Sequence, residues 1–116
     1  MVLSVTERTF TKEVLQSPMP VLVHFWAPWC GLCKLIDPQL KQFQALSGGD
    51  VKLVSINADS NFKLATSYRL TSLPTLILFE DGQIRHRLEH FRSRDDVSKA
   101  LEAIWLSSAR QQLIAR

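Results

Sequence analysis

Blocks of consecutive apolar residues alternate along this chain with stretches in which apolar positions recur every three or four residues. Residues 2–5, "VLSV", predict a short strand. Thr6 is placed to cap a helix carrying Phe10, Val14 and Leu15, which the prolines of "SPMP" (17–20) end. "VLVHFWA", 21–27, is a continuous β-branched and aromatic run, the composition of a strand buried on both faces. A helix is predicted from near Cys30 to about Ser47, where Gly48 and Gly49 stop it. Pro38 lies inside it and, lacking a backbone donor, should kink it.

"VKLVSINA", 51–58, predicts another buried strand, and Ser60 or Asp59 can cap a short helix with Phe62, Leu64 and Tyr68. "TLILFED" (75–81), Gly82 and "IRHRLEHF" (84–91) read as an antiparallel hairpin. Ser93 followed by Asp96 resembles a capping box, and Val97, Ala100, Leu101, Ile104 and Trp105 form a helical stripe. Residues 107–116 read as an extended or frayed end of that helix. The predicted order is β-α-β-α-β-α-β-β-α, an α/β chain with a mixed sheet of about five strands and about four helices on its two faces. At 116 residues, residues 1–116 are expected to form one domain.

Composition narrows the class only a little. A hydrophobic share of 46% and a charged share of 22% suit a soluble globular chain, and no apolar run approaches the ~20 residues of a membrane span. The opening "MVLSVTERTF" lacks a basic start followed by an apolar stretch, so the expectation is a cytoplasmic protein without a secretory leader. The net charge of +3 concentrates in "QIRHRLEHFRSR" and "ARQQLIAR". Glu89, Asp95, Asp96 and Glu102 interrupt these clusters and no stacking-aromatic pattern accompanies them. They therefore predict a solvated face and a mild preference for acidic partner proteins, not nucleic-acid binding.

The chain's two cysteines lie in "WCGLCK", residues 29–34. Three uses are open to them. If a helix begins at Cys30, Cys33 lies on the same face ~5–6 Å away, within reach of a disulfide. A bridge closing so small a loop removes little entropy from the unfolded chain, which makes it a poor structural staple. A metal site would need His86 and His90. Their distance from Cys33 is too long for a zinc finger, and on a strand four residues span ~13 Å, too far for two ligands of one ion. Redox exchange suits the pattern better. A helix N-terminus favours a thiolate at an exposed Cys30, with Cys33 beneath it to attack the mixed disulfide. Gly31 lets a substrate backbone approach, and Trp29 can shield the site and pack against a partner.

Taken together, these residues resemble the thioredoxin family. "FWAPWCGLCK" matches its active-site segment, Pro38 its helix kink, "SLPT" (72–75) its loop with a cis proline facing the disulfide, and Gly82 in "EDG" its hairpin turn. The likeness runs from the first strand to about Trp105. It implies the thioredoxin fold and a protein-disulfide reductase, with Cys30 as nucleophile and Cys33 as resolving thiol. The redox-active Cys30–Cys33 disulfide would then be the working group, with no bound cofactor and no metal. It further implies a cis Leu73–Pro74 bond, with the Leu73 backbone free to pair with a client strand. Trp29, Gly31, Leu32, Leu73, Pro74 and His90 would contact substrate. The partners implied are disulfide-containing client proteins and a thioredoxin reductase as electron donor, the chain itself being a monomer.

Three positions depart from the family's pattern and suggest an atypical member. Leu32 stands where most members have proline, which should alter the balance between dithiol and disulfide. His24 occupies the place of a buried aspartate that helps deprotonate the resolving cysteine, and Ser55 that of an accompanying lysine. His24 either takes over proton transfer for Cys33 or is a neutral packed histidine with one satisfied hydrogen bond. His90 replaces a glycine on the partner-facing surface and should narrow or redirect partner choice. These losses keep a second function open, a redox sensor or protein-binding module with little turnover.

Overall fold

A computed structural model describes the backbone of residues 2–114 and the side chains of residues 2–107. Five strands form one sheet: β1 (Val2–Ser4), β2 (Val21–Trp26), β3 (Lys52–Asn57), β4 (Thr75–Glu80) and β5 (Gln83–Leu88). Their order across the sheet is β1-β3-β2-β4-β5. β1 and β2 run parallel to β3, whereas β4 is antiparallel to both β2 and β5, so the sheet is mixed as predicted.

Strand β2 is central because both its faces find apolar partners. Val21, Val23 and Phe25 point into a core with Phe10, Val14, Val54, Ile56, Ile77 and Phe79. Leu22 points the other way, into a core with Ile36, Leu40, Phe43, Leu76, Val97 and Leu101. This two-sided burial explains why "VLVHFWA" reads as an unbroken apolar run and not as an alternating one.

The helical segments are α1 (Gly31–Leu35), α2 (Asp37–Leu46), α3 (Phe62–Ser67) and α4 (Arg94–Ile114), with a π-helical stretch at Thr11–Leu15. Several expectations change here. The helix foreseen after Thr6 is the π-helical stretch, in which Gln16 N donates to Thr11 O at 2.9 Å. Thr6 does not cap it; its hydroxyl accepts from Arg8 N in a preceding turn. The single kinked helix over 30–47 is two helices separated at Ile36. Pro38 sits in the first turn of α2, where its missing N–H leaves no intrahelical bond unmade. Gly48 and Gly49, both at positive φ, follow the end of α2 as foreseen.

Helix α3 begins after Asn61, not after Ser60 or Asp59. The Asn61 side chain bonds elsewhere, to Glu7 N and Asn57 O, while the Glu7 carboxylate accepts from Lys63 N at 2.8 Å. Strand β5 stops at Leu88 instead of reaching residue 91. The expected capping box at α4 forms in modified shape: Asp96 N donates to Ser93 Oγ, and the Asp96 carboxylate accepts from Arg92 N. Trp105 lies at the edge of the stripe and is partly exposed. The basic cluster is less free than a solvated face. Arg87 donates to the carbonyls of Tyr68 and Arg69 and pairs with Glu89, and Arg85 pairs with Glu80.

The β4–β5 turn is a two-residue loop with both residues at positive φ, Asp81 at 53° and Gly82 at 76°, as the tightest hairpins require. A Cβ on Gly82 would stand 3.0 Å from the Leu15 carbonyl oxygen. Gly82→Ala should therefore destabilise the fold by about 1–3 kcal/mol, from left-handed strain and this backbone contact combined. A urea midpoint unchanged from the wild type would show that the turn tolerates a side chain.

Candidate active site

The site is built where β2 ends. After Trp26 the chain turns, with Cys30 N donating to Ala27 O at 3.0 Å, and Cys30 then caps α1 in an extended conformation. Its sulfur accepts from Cys33 N at 3.1 Å, which satisfies one of the orphan donors of the first helical turn. Cys30 and Cys33 are joined in a disulfide with their Cα atoms 5.3 Å apart. The first sulfur was expected to be exposed, but the Cys30 residue is only 5% exposed and Cys33 2%. The reason is local: Trp26, Leu32 and Leu73 pack against the pair. Trp29 does not take that shielding position. It is 69% exposed, and its indole Nε1 donates to Asp59 Oδ2 at 3.0 Å.

Leu73 comes from the loop before β4, where the Leu73–Pro74 bond is cis and the Thr75 hydroxyl donates to Ser72 O at 2.7 Å. Pro74 itself is buried. On this side a depression of about 320 Å³ runs between Trp29 and Leu73, with the exposed Phe62 on its wall. The space beside Gly31 is open, with nothing within 4 Å of where a Cβ would stand. His90 lies beyond β5 at φ 62°, a conformation suited to the glycine usual there. Its backbone N donates to Ser72 Oγ at 3.3 Å, and its ring Nδ1 lies 3.4 Å from the same hydroxyl. His90 is thereby fastened to the loop that presents Leu73.

His24 sits behind the cysteines. It lies opposite Ser55 on β3 and Leu76 on β4, and is 4% exposed. A cavity of about 220 Å³ is lined by His24, Trp26, Cys33, Lys34, Asp37 and Ser55. No described residue hydrogen-bonds the buried Nε2 of His24. Burial pushes the His24 pKa from 6.5 down to about 4, with the Asp37 carboxylate partly opposing the drop. At neutral pH the imidazole is therefore uncharged, with Nε2 free of any partner among the described residues.

The sequence model of the thioredoxin family matches residues 1–103 of this chain. The chain belongs to the thioredoxin family. It is 46% identical over 80 residues to "Thioredoxin 1" of Synechococcus elongatus, covering 69% of this chain and 75% of that protein. A "Thioredoxin 1" of a Nostoc species is 46% identical over 79 residues, covering 68% and 74% respectively. "Thioredoxin" of Rickettsia felis is 42% identical over 80 residues, covering 69% and 76%. This thioredoxin-family chain is thus a thiol–disulfide oxidoreductase, a protein-disulfide reductase whose redox-active pair is Cys30–Cys33 and whose working group is part of the protein. Among the described residues, no group of three or more His, Cys, Asp or Glu could hold a metal ion, and no helix is long and apolar enough to cross a membrane.

The structure adds residues that the sequence reading passed over. Asp37 reaches the His24 cavity, and its signal was its place four residues after Cys33 in a helical stretch. Asp59 holds Trp29, a pairing across 30 residues that no local pattern announces. Ser72 anchors His90 in the same long-range way.

A histidine held neutral by burial makes stability depend on pH. The folded pKa lies below the unfolded 6.5, so the unfolded chain binds the proton first and stability is lost as pH falls from about 6.5 to about 4. The loss attributable to this group should approach roughly 3 kcal/mol. The difference in denaturation free energy between wild type and His24→Gln, followed from pH 7 to pH 4, should show it. A difference independent of pH would refute the buried neutral imidazole.

Proposed function

We propose that Cys30 and Cys33 divide the work of reducing a client disulfide. The Cys30 thiolate attacks one client sulfur; a Cys30–client bond forms, the client S–S bond breaks, and the second client sulfur leaves as a thiolate. Cys33 then gives its proton to His24 Nε2 and attacks Cys30 Sγ. The mixed disulfide breaks, the client's remaining sulfur leaves and is protonated from water, and two electrons have passed from the chain to the client.

The observation that carries this division is the asymmetry of the pair. Cys30 caps a helix, and its sulfur already receives the Cys33 amide, a donor that would stabilise negative charge there. Cys33 instead opens onto the cavity holding the unpartnered imidazole. The unpartnered Nε2 supports the catalytic reading over that of a packing residue with a satisfied hydrogen bond.

Client segments would lie along the Leu73–Pro74 loop, pairing with its backbone, between Trp29 and His90. Gly31 leaves them room and Leu32 meets them beside the disulfide. His90 narrows the opening because it stands on the Ser72 side as a large ring where a glycine would leave a gap. A thioredoxin reductase would restore the dithiol, with the chain acting as a cytoplasmic monomer of one domain, where thiols are kept reduced. It would carry electrons between proteins without a bound cofactor, and neither nucleic acid nor membrane would be a partner.

Turnover tests the division of labour. Cys30→Ser should reduce the dithiothreitol-driven reduction of a protein disulfide to the uncatalysed rate. Cys33→Ser should accumulate a mixed disulfide with the client, visible by non-reducing electrophoresis. Trapping through Cys33 in the Cys30→Ser protein, and none in the reverse variant, would exchange the two roles. His90→Gly should accelerate reduction of bulky protein disulfides more than of a small peptide disulfide. Because it relieves a left-handed side chain, it should cost no stability and gain up to about 1 kcal/mol. Equal acceleration of both substrates would show that His90 does not select among clients.

A further inference from the structure

Of the charged groups around the His24 cavity, neither Lys34 nor Asp37 has a part in the reaction as described. Every element packed on the cavity can be named: Trp26 comes from β2 itself, Cys33 and Lys34 from α1, Asp37 from α2 and Ser55 from β3, while the cross-strand neighbour from β4 is Leu76. Only two of these carry fixed charge. Lys34 is cationic and opposes an imidazolium; Asp37 is anionic and favours one. Both are exposed residues, so they stand where the cavity meets water, whereas His24 and Cys33 are buried.

We propose that Asp37 is a positioning residue for the resolving step: its carboxylate, across the cavity from His24, stabilises the imidazolium formed when Cys33 loses its proton and lets that proton leave to water. This rests on the reading of His24 as the proton acceptor. Its basis is geometric. A buried imidazole with an unpartnered Nε2 shares one cavity with the thiol that must ionise and with a single carboxylate at the solvent side. In charge terms, a neutral pair of thiol and imidazole becomes a thiolate and an imidazolium. When the thiolate is consumed in forming the Cys30–Cys33 disulfide, the imidazolium is left as a buried cation. Without a nearby anion that cation is costly. Asp37 supplies the anion, and its exposure supplies the exit.

The break between α1 and α2 contributes directly. It falls at Ile36, immediately before Asp37, and Pro38 follows, so the carboxylate is set at the beginning of a new helix and not in the middle of a continuous one.

The test uses the full chain. In the oxidised protein, NMR titration of the His24 ring in Asp37→Asn should move its midpoint down by roughly half a pH unit or more, the effect of a nearby charge after partial screening. Asp37→Glu should restore it. In stopped-flow reduction of insulin by the dithiol form, Asp37→Asn should shift the acid limb of the pH–rate profile in the same direction. It should slow the resolving step at pH 7 by roughly twofold, the Brønsted response to so small a change. In a His24→Ala background, Asp37→Asn should change neither. An unmoved His24 midpoint overturns the proposal, as does the same loss of rate in the His24→Ala background. A wild-type profile in His24→Ala alone overturns the role of His24 and this inference with it. An altered profile there with an unaltered one in Asp37→Asn overturns the role of Asp37 alone.

Discussion

Strand β2 is packed on both faces, and the position of the two sulfurs follows from that packing. Val21, Val23 and Phe25 are held by one core and Leu22 by the other, so the strand can neither slip nor rotate without exposing one set. The end of the strand is thereby a fixed point. Cys30 emerges from it four residues after Trp26, caps α1, and receives the Cys33 amide. The same alternation that sends Leu22 into the α2–α4 core points His24 to that side, beneath α1 and the start of α2. The polar ring at one position of an otherwise apolar strand lines the cavity behind the cysteines.

The surroundings of the disulfide are assembled from three separated parts of the chain. Leu32 comes from α1, Leu73 from the cis-proline loop and Trp26 from the strand, and together they cover sulfurs that a helix tip alone would expose. Shielding of this kind restricts access to partners able to displace or slide past the leucines. The tie from Ser72 to His90 acts on the same loop from its outer side, so the groove is bounded by contacts to one short segment.

Much of this was legible from residue order. The buried character of β2 and β3, the hairpin turn at Gly82, the cap at Ser93 and the pairing of the cysteines all depend on neighbours within a few positions, and local chemistry revealed them. The errors lie where local composition is ambiguous or distant residues intervene. The helix over 30–47 was expected to bend at Pro38, yet proline is equally at home in a first turn, and the composition does not distinguish a kink from a fresh start. Asn61 could not be recognised as the start of α3 because its side chain is engaged by Glu7 and Asn57. β5 ends at Leu88, two residues before the left-handed backbone of His90, and nothing in "LEHF" signals either. The covering of Cys30 by Leu73 spans more than forty residues and has no local trace.

Two hydrogen bonds tie the segment after β1 to the start of α3. The Glu7 carboxylate meets the Lys63 amide at the first turn of α3, and the Asn61 carboxamide meets the Glu7 amide, so the segment after β1 and the helix that carries Phe62 are clasped together. A tag, fusion or trimming near the amino end would consequently be transmitted to the wall of the depression beside Trp29 and Leu73, although the two are far apart in the primary chain. The amino-terminal segment thus braces that wall as well as forming an edge of the sheet.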